Sequence, residues 1–180
     1  MKCKRKAYGL LLGLYCFVVL SVFGQDQKIA DSLALIYKSN KLPDTVKLEL
    51  LRNLSFNELR DLNLSLQYAE ELINLSSRLG NNVYLYRGYL QKGNKKRLMG
   101  DLDEALDAYF KSLEAARKAH YVKGEGAVYV AIGDVYGVSN NHQNAMLYYR
   151  KAIATLRQSN VTKEDSLLLA TAITNAGDEF

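Results

Sequence analysis

The stretch EGAVYVAIGDVYGVSNNHQNAMLYYRKAIATLRQS, residues 125–159, decides the fold once it is laid against VYLYRGYLQKGNKKRLMGDLDEALDAYFKSLEAARKA, residues 83–119. The same residue types recur 40 positions apart: Tyr89 with Tyr129, Gly93 with Gly133, Ala105 with Ala145, and Tyr109 with Tyr149. Self-similarity at a fixed period marks a chain built of stacked copies of one small unit. A weaker copy lies upstream in LELLRNLSFNELRDLNLSLQYAEELINLSSRLG (48–80), where Ser65 and Ala69 stand 40 before Ala105 and Tyr109, with a turn one or two residues shorter. Another start follows in LLATAITNAGDEF (168–180), its Gly177 lying 44 after Gly133. The polar linker QSNVTKED accounts for the extra length.

Within each copy the apolar spacing is helical. Leu102, Ala105, Leu106, Tyr109 and Leu113 fall at steps of three and four, one face of an α-helix. Asp101 followed by Glu104 has the spacing of a capping box, as have Thr162 and Asp165. Pro43-Asp44 is a further start signal, separating an N-terminal helix in DQKIADSLALIYKSN from the first copy. MGD, SNN and RLGNN carry turn chemistry between helices. Gly93, Gly133, Ala105 and Ala145 read as points of close helix approach, and Tyr109, Tyr149 and Tyr136 as fillers of the wider gaps between neighbours. The reading is an all-α chain: helix and linker at 25–43, units at 44–80, 81–120 and 121–160, and at 161–180 the first helix of an incomplete fourth unit. Leu169, Ile173, Ala176 and Phe180 are then left awaiting a second helix.

The first residues are of another kind. Lys2, Lys4, Arg5 and Lys6 precede an apolar run from Ala7 to Phe23, and Gly24 follows, which is the layout of a secretory signal peptide over 1–24. Cleavage is expected before Gln25, with Val22 and Gly24 as the small residues. An uncleaved anchor is the competing reading, its 17 apolar residues only just reaching the span of a bilayer. Either way the remainder is exported, to the periplasm or cell envelope. Without 1–24 the charges balance, 20 basic against 19 acidic, so no electrostatic footprint for nucleic acid remains. Cys3 and Cys16 both lie in the signal, leaving neither a disulfide nor a thiolate metal site.

No converging set of catalytic or metal-ligating groups is legible. His120 ends a helix and His142 sits in the SNNHQN turn, as solvated or dipole-compensating residues. GEG (124–126) lacks the strand and the Lys-Ser/Thr of a phosphate loop and reads as the opening of a helix. The Asn-x-Ser/Thr triplets at Asn53, Asn63, Asn74 and Asn160 fall mostly in helices and read as chance. No enzyme activity, cofactor or metal is expected.

With Tyr129, Ile132-Gly133, Tyr136, Ala145, Tyr149 and Ala152 at the signature positions, the chain resembles the tetratricopeptide repeat family over roughly 44–180. In the preceding unit Tyr89, Gly93, Ala105 and Tyr109 match, while Lys92 and Lys96 depart from the pattern and make its first helix more polar. The resemblance implies a right-handed superhelical solenoid of antiparallel helix pairs whose first helices line a concave groove for protein or peptide partners. The groove residues it implies are Arg52, Phe56, Arg87, Asn94, Arg97 and Asp134, together with Glu49, Leu59, Leu90, Ala127, Val130 and Gly137. A family variant clamps a C-terminal carboxylate, but Leu90, Val130 and Asp134 stand where its polar residues would be, so that clamp is not implied. The cluster KGNKKR (92–97) could give one wall positive potential for acidic partners, against an ordinary solvated surface. Two functions follow as expectations: an exported binding scaffold without catalysis, or the sensory front end of a longer membrane signalling protein with a histidine kinase, nucleotide cyclase or transcription-regulator output.

Overall fold

The computed structural model describes residues 27–38, 42–157 and 163–178. The expected signal segment with both cysteines, Gln25, the Thr162 cap and Phe180 lie outside the described residues. The fold is all-α, and among the described residues there is no strand. Helix α1 spans 27–38. It is followed by α2 (Asp44–Asn57), α3 (Leu62–Arg78), α4 (Asn82–Met99), α5 (Leu102–Lys118), α6 (Val122–Val138), α7 (His142–Arg157) and α8 (Lys163–Asp178). Among the described residues no helix is long and apolar enough to cross a membrane.

Four turns of one design separate α3 from α7. Each pivots on a residue with positive φ, and these are spaced by 20: Gly80 (66°), Gly100 (86°), His120 (52°) and Asn140 (56°). At each the same two backbone bonds close the helix, as in Gly100 N–H to the Arg97 carbonyl at 3.1 Å and Asp101 N–H to the Lys96 carbonyl at 2.9 Å. This is the Schellman termination, which satisfies carbonyls the helix end leaves open. His120 is therefore the pivot of the turn, a role its residue type conceals. His142, expected in the turn, is the first residue of α7.

The residue after the pivot occupies the next N-cap. Asn81 and Asn141 fill the role with their side chains, accepting from Tyr84 N–H at 3.3 Å and Asn144 N–H at 3.2 Å. Asp101 does not act as the capping box predicts. It holds the N-cap position but makes no side-chain cap bond. Instead Lys96 draws both acids to itself, bonding Asp101 Oδ2 at 3.1 Å and Glu104 Oε2 at 2.8 Å.

Tyrosine on glycine sets the spacing between α4 and α5 and between α6 and α7. A Cβ added to Gly93 would overlap the Tyr109 ring, and one on Gly133 would lie 2.5 Å from the Tyr149 ring. Tyr109 and Tyr149 therefore sit at the glycine contact points and not in the wider gaps between neighbours. Gly88 works likewise between α3 and α4, where a Cβ would fall 2.8 Å from the Ile73 side chain and 3.2 Å from its backbone nitrogen. In GEG, both glycines lie in the first turns of α6, and Gly126 lets Leu156 in from α7. Of the periodic residues in α5, Ala105, Tyr109 and Leu113 are buried, with Leu102 and Leu106 packed against them.

From α2 to α8 each helix touches the next. The even-numbered helices also touch each other in order, α2 with α4, α4 with α6 and α6 with α8, whereas α3, α5 and α7 do not meet among the described residues. The core accordingly runs along the chain as two clusters, one in α1 to α3 around Leu51, Leu54 and Leu72, the other from α4 to α8 around Tyr109, Ile132 and Tyr149. The shortening expected in the first copy's turn falls instead on α2, 14 residues long against 18 for α4. Its connection, 58–61, is longer than the two-residue turn at Gly100-Asp101.

Candidate functional site

The α2–α3 connection is built around a buried carboxylate. Glu58 Oε1 accepts from Arg60 N–H at 2.9 Å and Asp61 N–H at 3.1 Å, and its Oε2 accepts from Gln27 Nε2 at 2.9 Å. Gln27 Oε1 in turn accepts from the Leu59 and Arg60 backbone at 3.2 and 3.3 Å. With two side chains satisfying the polar backbone, this connection holds a fixed shape against α4. Between the two opens a cleft of about 290 Å³, lined among others by Phe56, Leu59, Gln91, Asn94, Lys95 and Arg97. Four of the sequence-predicted residues, Phe56, Leu59, Asn94 and Arg97, are thus brought together.

The rim of this cleft is apolar and uncovered: Phe56 is 57% exposed and Leu98 58%. Its floor is cationic. Lys95 lines it while only 4% exposed. Burial pushes the Lys95 ammonium below its ordinary value, and the field of Glu58 offsets this only in part. Arg97 has its Nε buried without a hydrogen-bond partner. The other two cations of KGNKKR are engaged elsewhere, Lys92 pairing with Glu70 at 2.9 Å and Lys96 with the acids of the next turn. The sequence left a positive wall open beside an ordinary solvated surface and did not say which of the cations face the cleft.

Arg52 and Arg87 form a second group, joined through Glu49. Arg52 Nη2 reaches Glu49 Oε1 at 2.7 Å, Arg87 Nη1 stands 3.9 Å from Oε2, and the Tyr84 hydroxyl donates to Oε2 at 2.8 Å. Burial alone would raise the Glu49 carboxyl, but the hydrogen bonds from Arg52 and Tyr84 outweigh it and hold the group below its usual value. Two guanidiniums sharing one carboxylate leave this patch positive. The Arg87 guanidinium also lies over the Tyr84 ring, 5.4 Å from its centre.

Asp134 lines neither group, though its field reaches the Tyr109 hydroxyl that bonds Asn94. It accepts from the Tyr149 hydroxyl at 3.0 Å and from Asn175 Nδ2 at 2.9 Å, tying α6 to α7 and α8. Asn94 has the matching bond, from the Tyr109 hydroxyl at 2.8 Å. Both expected groove residues therefore serve the packing of their tyrosine partners. Val130 is buried in the core and has no surface to offer a groove. Gln91 and Leu98 were missed, and Lys95 was named only as part of KGNKKR, because each is unremarkable in a polar helix and nothing in their spacing shows that the 58–61 connection leaves them facing a cleft.

No family model matches the chain, and no curated protein matches it. Among solved structures the chain is similar to the crystal structure of BtubC (BKLC) from P. vanneervenii, with a TM-score of 0.53 and 12% identity over 87% of this chain and 84% of that one. At that identity the similarity speaks for the all-α fold alone.

Proposed function

We propose that the chain is a tetratricopeptide-type solenoid of antiparallel helix pairs that binds protein or peptide segments along the row of α2, α4 and α6 and does no chemistry of its own. The 40-residue period, the pivots every 20 residues and the glycine seats under Tyr109 and Tyr149 support this architecture. Contacts among the even helices, with none among α3, α5 and α7 in the described residues, favour a stack curved toward the even row. The apolar-rimmed, cationic cleft at Phe56 lies on that row, and it is the observation that carries the binding reading. Exposed apolar side chains around a few convergent polar groups are what partner sites are made of. Residues 1–24 are the ground for placing this work outside the cytoplasm.

The test is selection of a displayed library of linear peptides on the full chain, run in parallel on a variant carrying Arg87→Glu and Arg97→Glu. Enrichment on the native chain that is lost on the variant supports the reading. No enrichment, or equal enrichment on both, overturns it.

A further inference from the structure

Lys95 occupies an unusual electrostatic position. Its ammonium reaches only the Glu58 carbonyl, at 3.5 Å, and among the described residues it has no carboxylate in ion-pair contact. Glu58, the acid whose field it feels, has both oxygens engaged by Gln27 and by the backbone of Arg60 and Asp61. A buried cation without a paired anion is a destabilising arrangement. Arg97, whose side chain bonds the Tyr109 hydroxyl, adds a second cation with its Nε buried and without a partner. Both line one small cleft, and neither has a carboxylate in ion-pair contact among the described residues.

Resting on the reading of the chain as a peptide binder, we propose that this cleft takes the carboxylate of an aspartate or glutamate side chain from an extended partner peptide, Lys95 and Arg97 flanking the carboxylate and an apolar neighbour in the peptide packing on Phe56 and Leu98. Charge complementarity selects the anion, and the exposed rim selects what accompanies it. Desolvation strengthens the attraction, because the cations already lie out of water when the carboxylate arrives. The surroundings are permissive: Arg52 and Arg87 leave the neighbouring patch positive, and Asp134 is held by Tyr149 and Asn175. A nucleic acid is disfavoured, since it needs a basic track, whereas beyond residue 24 the charges balance at 20 to 19.

The experiment takes a peptide selected from the displayed library and measures its affinity for the full chain, alongside the same peptide with each acid replaced by its amide. The partner variants are Lys95→Met and Arg97→Gln, with melting curves to show that each folds. For the native chain we expect one acid-to-amide change to weaken binding about tenfold or more, as for a desolvated charge pair. The same change should have little effect on Lys95→Met. Should Lys95→Met fail to fold, Arg97→Gln gives the same comparison. Enriched peptides free of aspartate and glutamate would overturn the inference, as would equal loss in native and variant chains. Binding abolished by amidating the peptide C-terminus, with side-chain acids irrelevant, would also overturn it. Each of these leaves peptide binding itself standing, whereas absence of any enriched peptide removes both.

Discussion

The Tyr109 hydroxyl donates to the Asn94 side-chain oxygen at 2.8 Å while the Tyr109 ring lies against Gly93. Forty residues on, Tyr149 repeats the arrangement on Asp134 and Gly133. One side chain thus fills the seat left by a glycine and ties down the polar residue beside it. Tyr109→Phe keeps the filling and loses the tie, and we expect about 1 kcal/mol of stability lost in urea unfolding. Tyr109→Ala empties a fully buried site and should cost about 3–5 kcal/mol. Equal losses from the two would show that the ring's seat on Gly93 contributes little.

Gly133→Ala and Gly93→Ala place a methyl group into the facing rings. Each should destabilise by about 1–3 kcal/mol through overpacking, despite the better helix propensity of alanine. Gly177, also helical, has open space at its Cβ position, and Gly177→Ala should cost nothing. A neutral Gly133→Ala would remove the glycine–tyrosine seat as the reason for the helix spacing.

The turns invite the opposite change. His120 and Asn140 hold φ values of 52° and 56°, where glycine is free of the Cβ penalty. His120→Gly should raise the urea midpoint, by about 0.5–1 kcal/mol in stability. Asn140→Gly should gain less, because asparagine tolerates this region better. Loss of stability in His120→Gly would mean that the imidazole has a role beyond the turn.

Alkaline pH should unfold the chain. Burial, with help from the field of Tyr121 and against that of Arg87, pushes Tyr86 up from 10.0 to about 12. With the folded value above the unfolded one, this stabilisation is whole below pH 10 and is lost between pH 10 and about 12. Two units correspond to about 2–3 kcal/mol. Burial also raises Tyr68, Tyr109 and Tyr148, so the effects add. Lys95 works the other way, its value being lowered, and regains stability as pH rises toward 10.5, but it is one group against several. The urea midpoint should fall from pH 10 upward, less steeply in Tyr86→Phe. A midpoint level through pH 11 would contradict the burial of these phenols.

The helices were legible because their evidence is local. Periodic apolar residues in α5, the Pro43-Asp44 start and the Gly and Asn turns each act within a few residues of themselves. The 40-residue repeat even located the glycine seats, since Gly93 and Gly133 recur with Tyr109 and Tyr149. The cleft was only half legible. Phe56, Asn94 and Arg97 were named through their register in the repeat, but Lys95 needed the 58–61 connection, whose shape depends on Gln27 bonding Glu58 from 31 residues away. Such a long-range polar pair leaves no periodic trace. The Asp101 cap failed for a different, local reason: Lys96, five residues earlier, bonds the same carboxylate.

Amide NMR of the isotopically labelled full chain, titrated with a selected peptide, tests the binding reading most directly. We expect shifts concentrated in α2, α4 and α6 and strongest around Phe56, Asn94, Lys95 and Arg97. Shifts confined to α3, α5 and α7 would contradict it.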